Sequence, residues 1–190
     1  MRIQELFIHS NVALAAVVEQ IDEDRWKLEL PASSPTTPQD LRVTIGYHAY
    51  DDAWVPDVLA GRSAQEVGDR FDHLLDPSEA GREYREQNAR AIRAVREFDD
   101  LGRIVHLSYG DFPAEEYLQH ITSFRFVRAW DIARLLGTRP DFPEEFLLAV
   151  EQEFAPHMVQ YRAMGVFPDP IEVAADADTL TRVVGGFGRA

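Results

Sequence analysis

The sequence predicts an all-α fold, a bundle of helices, on three observations. Apolar residues recur at helical spacing in five segments, clusters of Pro, Gly and Ser separate those segments, and only one short stretch alternates like a strand. The first helix runs from Ile3 to Ile21, where Ile3, Phe7, Leu14, Val18 and Ile21 form one apolar face. Leu30 to Gln39 holds three prolines and four hydroxyl residues, a loop leading into a second helix over Asp40 to Leu59, with Gly61 closing it. A polar connector, Arg62 to Pro77, precedes a third helix ending at Phe98, with Tyr84, Ala91, Val95 and Phe98 inward.

Arg103 to Ser108 alternates and is β-branched enough for one extra short strand, followed by a turn over Tyr109 to Pro113. The fourth helix spans Ala114 to Leu136 and is stopped by Gly137 and Pro140. The fifth spans Pro143 to Met164 and is interrupted near Pro156, because proline lacks a backbone donor and clashes with the preceding turn. Residues 166–190 read as an irregular C-terminal tail packing on the bundle, with a short amphipathic DTLTRVV, and the whole of 1–190 as a single domain.

With 45% hydrophobic residues in 190, the chain can bury a core. Its net charge of −14, without a Lys or Arg cluster, excludes nucleic acid and anionic membrane faces as expected partners. No signal sequence or long apolar run is present, so a soluble, cytoplasmic protein is expected. The chain has no Cys, so it has neither a disulfide nor a thiol nucleophile of its own.

The informative residues are polar ones on apolar stripes. Along the second helix Leu41, Ile45, His48, Asp52, Val55 and Leu59 follow at spacings of 4, 3, 4, 3 and 4, so an imidazole and a carboxylate face the core. Burying them costs several kcal/mol unless partners satisfy them. The fourth helix offers the stripe Tyr117, Ile121, Phe124, Arg128, Asp131 and Leu135 at the same spacings, which predicts Arg128 and Asp131 in the facing seam. Asn88 points the same way from the third helix and His157 from the fifth. His9 and His73 read as surface or packing residues, and His120 as exposed.

Four motifs, DLRVTIGYHAYDDAWVPDVLAG, IVHLSYGDFPAEEYL, VRAWDIARLLG and VFPDPIEVAADADTLTRVVGGFGR, resemble in this order the DinB-like proteins related to mycothiol-dependent maleylpyruvate isomerase. The resemblance implies a four-helix bundle of the DinB type. It also implies a divalent metal, zinc or nickel, held by three side chains near one end of the bundle, which activates a low-molecular-weight thiol such as mycothiol or bacillithiol. His48 matches one ligand position. Phe124 and Arg128 stand where the other two are expected, and a guanidinium has no lone pair to give a metal. The resulting expectation is that Arg128 replaces the metal with its own charge, pairing with Asp52 or Asp51 beside His48.

Three functions are compatible with these residues. The first is a metal-dependent thiol transferase or isomerase, which a Cys-free chain borrowing its thiol would suit but which lacks two ligands. The second is a metal-free pocket at the bundle end, lined by Tyr47, Trp54, Phe124 and Trp130 with Arg128 at its base, that takes a small anionic ligand. The third is a structural or interaction protein in which the polar network sets helix register. The second and third are favoured, and association into a homodimer is compatible with each.

Overall fold

A computed structural model of the chain describes residues 1–31 and 39–190. The protein is mostly helical, with two small antiparallel ribbons. Helix α1 spans Ile3–Val18, α2 Leu41–Leu59, α4 Ala80–Glu97 and α5 Ala114–Leu136; these are the four long helices. A one-turn helix α3, Ala64–Val67, lies in the connector that the sequence leaves without structure. The loop expected over Leu30 to Gln39 falls largely outside the described residues. Its flanks pair as β1 (Glu29–Leu30) and β2 (Gln39–Asp40).

Two differences from the sequence reading concern strands and the tail. The single strand expected at 103–108 is the first arm of a hairpin, β3 (Ile104–Leu107) with β4 (Gly110–Pro113). The stretch expected to be only a turn pairs because Gly110, at φ +146°, reverses the chain early enough for four register pairs. The fifth predicted helix divides at the expected proline into α6 (Glu144–Phe154), a 3₁₀ turn over Ala155–His157, and α7 (Met158–Ala163). The tail ends in α8 (Thr179–Gly186), which packs on α6 and sends Val183, Val184 and nearby Phe187 into the core.

Local chemistry sets the helix ends. Asp40 caps α2 by accepting from the Val43 amide at 2.8 Å, and Gly137, left-handed at φ +74°, ends α5. Asp40→Ala is expected to cost about 1 kcal/mol in urea denaturation. α2 packs along α4, and α1 against both α4 and α5. Between α2 and α5 direct packing is sparse, and the β3–β4 hairpin, which touches both helices, fills part of that gap. This leaves a side opening in the helical array.

The apolar core is divided in two. One cluster gathers the start of α1, the end of α2 and α4 and the start of α5, through Leu6, Phe7, Val55, Val95 and Leu118. The other gathers the opposite halves, through Leu14, Val17, Ile45, Tyr84 and Ile132. Between them lies a belt of buried polar side chains: Ser10 and Asn11, His48 and Asp52, Gln87 and Asn88, and Thr122, Ser123 and Arg125. Each pair or triplet sits near the middle of its helix.

Candidate functional site

The belt is organised by Arg125, only 1% exposed on α5. Its Nε and NH2 donate to Asp52 Oδ1 at 3.2 and 2.7 Å, and Asp52 is fully buried on α2. NH2 also reaches the His48 carbonyl at 3.5 Å, NH1 contacts His48 Nδ1, and Asp51 Oδ2 lies 3.6 Å from NH1. The second Asp52 oxygen accepts from Asn88 Nδ2 at 3.2 Å, which also donates to Asn11 Oδ1 at 2.8 Å and lies 3.0 Å from Tyr84 Oη. Asn11 closes the chain by donating to the Phe7 carbonyl at 3.0 Å. All four long helices are therefore tied at their midpoints.

The protonation states follow from who can donate. A guanidinium offers only N–H donors, so His48 Nδ1 must accept and the ring proton resides on Nε2. Burial, then the charges of Arg125 and Arg128, hold the imidazole well below its usual pKa, so it is neutral. Its Nε2–H is buried without a partner among the described residues. Burial opposes the charge on Arg125, but Asp52 and Asp51 outweigh it and raise its pKa. Burial raises Asp52, while Arg125 and Asn88 pull it back.

The structure places the sequence-derived candidates unevenly. His48, Asp52 and Asn88 meet as expected, whereas the cation that joins them is Arg125 and not Arg128. Arg128 lies 3.9 Å from Asp131, whose other oxygen accepts from Arg189 Nε at 3.0 Å, so Asp131 anchors the C-terminal tail. Trp130 is buried in the core with Arg134 over its ring, and Tyr47 is 44% exposed. His157 stacks on Tyr161, away from the belt. The α5 stripe that faces the core is Leu118, Thr122, Arg125, Ala129, Ile132 and Leu136, displaced by one residue from the expected one.

A cleft of about 360 Å³ opens in the gap between α2, α5 and the hairpin. From α2 come Tyr50, Asp51 and Trp54; from the hairpin, Tyr109; from α5, Tyr117, His120 and Phe124. Of the expected pocket residues it takes Trp54 and Phe124 and leaves out Tyr47, Trp130 and Arg128. His120, expected to be exposed, is half-buried here, 3.3 Å from Tyr109 Oη, and burial lowers its pKa. Among the described residues no Lys or Arg lines the cleft, so Arg128 is not at its base as expected. Asp51, 49% exposed, joins the cleft to the belt through Arg125.

A zinc or nickel site needs three or four lone-pair donors converging at about 2.0–2.3 Å. His48 Nδ1 is engaged by a guanidinium, Nε2 carries the proton, and Phe124 and Arg128 have no lone pair to give. Among the described residues no three His, Asp or Glu side chains come together as a ligand group. The donor set at His48 does not fit a metal in this arrangement.

Fold and site together define a mostly helical protein with a buried ion-pair belt and an aromatic side cleft. No protein-family model, curated protein or solved structure matches the chain. Among the described residues no helix is long and apolar enough to cross a membrane.

Proposed function

We propose that the chain is a DinB-like protein of the group related to mycothiol-dependent maleylpyruvate isomerase in which Arg125 takes the place of the metal. Its function, on this reading, is to bind a small molecule in the cleft between α2, α5 and the hairpin. The motif order and the four long helices support the relationship. One contact carries the functional reading: the Arg125 guanidinium on His48 Nδ1, which occupies the lone pair a metal would need.

In this reading Arg125 supplies the positive charge that keeps Asp52 ionised in the core, and no thiol is activated. Binding follows from the cleft, whose volume lies in the range of small-molecule sites and whose walls are apolar and aromatic. Elemental analysis of untagged protein should find no stoichiometric zinc or nickel. Added zinc, nickel or chelator should leave the thermal midpoint unchanged. One equivalent of metal, lost in His48→Gln, would overturn the reading and restore the thiol transferase or isomerase.

A further inference from the structure

We propose that the cleft is a site for a small organic ammonium compound carrying an aromatic group. This rests on the cleft being a ligand site and goes further by assigning the chemistry of the ligand. Two observations carry it. The first is a charge imbalance: Arg125 is one cation facing two carboxylates, Asp52 at 2.7 Å and Asp51 at 3.6 Å. Asp52 is consumed by Arg125 and Asn88 inside the core. Asp51 shares Arg125 at the longer distance and is half-exposed at the cleft, which no Lys or Arg lines among the described residues.

The second observation is the wall. Tyr50, Trp54, Tyr109, Tyr117 and Phe124 surround the same opening. Tyr50 and Tyr117 stand on different helices and Tyr109 on the hairpin, so rings from three separate elements line the opening that Asp51 also lines. Aromatic faces carry negative quadrupole potential and attract a cation held above them, more strongly where water is excluded. A carboxylate amid several rings therefore selects an ammonium group, while the apolar walls favour an aromatic remainder. A carboxylate ligand would meet Asp51 at the same opening.

Three probes that differ only in their head group test this: tyramine with an ammonium, tyrosol with a hydroxyl, and 4-hydroxyphenylacetate with a carboxylate. By calorimetric titration at about neutral pH, tyramine should bind roughly tenfold tighter than tyrosol, a preference in the range of cation–π and charge-assisted contacts. The carboxylate should bind weakest. Asp51→Asn should bring tyramine down to the level of tyrosol, with the melting curve retained. Tyr109→Ala, on an exposed hairpin position, should weaken tyramine severalfold without touching the belt. Equal or tighter binding of tyrosol or the carboxylate, or an Asp51→Asn variant that binds tyramine as before, would overturn the ammonium assignment while leaving the cleft a ligand site. If none of the three binds, both readings fall.

Discussion

Arg125→Ala is expected to lower the stability of the fold by about 3–5 kcal/mol, measured by urea denaturation. Among the described residues, the substitution leaves Asp52 as a fully buried carboxylate with Asn88 as its one remaining donor and strips His48 Nδ1 of its partner. An unpaired buried charge costs far more than the lost attraction, because the ion cannot recover its hydration. Asp52→Ala should be similarly severe, since the guanidinium keeps its contacts with His48 but has the more distant Asp51 as its remaining counter-charge among the described residues. The double variant Arg125→Met, Asp52→Leu should recover most of the loss, because a buried ion pair offsets its own desolvation only approximately. The two residues would then show strong non-additivity. Arg128→Ala, by contrast, should cost less than Arg125→Ala, because its contact with Asp131 is long, its Nε has no partner among the described residues, and Asp131 retains Arg189. If Arg128→Ala proved the more damaging of the two, the belt described here would be wrong.

Acidification is the second large effect, and it reads His48 directly. The imidazole is held neutral in the folded state well below its ordinary value of 6.5, while in the unfolded chain it takes up a proton near that value. Between the depressed folded pKa and about 6.5 the unfolded state binds more protons, so stability falls as pH falls. The slope from this group approaches about 1.4 kcal/mol per pH unit. His120, also lowered by burial, acts in the same direction. Asp52, raised from 3.8, acts oppositely at lower pH, since its buried carboxyl takes a proton before the unfolded one does. Comparing wild type with His48→Gln isolates the first contribution, because both retain His120 and Asp52. Urea denaturation at pH of about 7.5, 6.5 and 5.5 should show the steeper loss only in wild type. Parallel curves would mean that His48 takes up its proton in the folded protein as it does in the unfolded chain.

Much of the belt was legible from helical spacing. On α2 the stripe from Leu41 to Leu59 is buried at every position, and it puts His48 and Asp52 where the structure has them. Asn88 and Tyr84 were also legible on α4, whose charged outer face leaves its inward side unambiguous. On α5 the same method is off by one residue. The large apolar side chains Ile121, Phe124 and Leu135 draw the stripe toward the flank, while the true core face contains small Thr122 and Ala129. Small residues let neighbouring elements approach, yet they add little to a hydrophobic pattern. An arginine between them looks like a surface residue, and only its company with Asp52 shows otherwise. Asn11 was illegible for a similar reason, since nothing in its own helix marks it as a link to Asn88.

The aromatic cleft was less legible still, because it belongs to no single element. Trp54 and Phe124 could be named from their helices, but Tyr109 and His120 join them only when the hairpin packs into the gap between α2 and α5. Helical character, the break at Pro156, the missing thiol and the presence of an imidazole and a carboxylate on a core face are legible in the amino-acid order alone. These follow from local periodicity, composition and backbone sterics, which each segment carries alone. Which cation meets that carboxylate, and which face of Asp51 is left open, was decided only by tertiary packing. A charge in the core is stabilised by partners at hydrogen-bond distance, and those partners come from helices far apart in sequence.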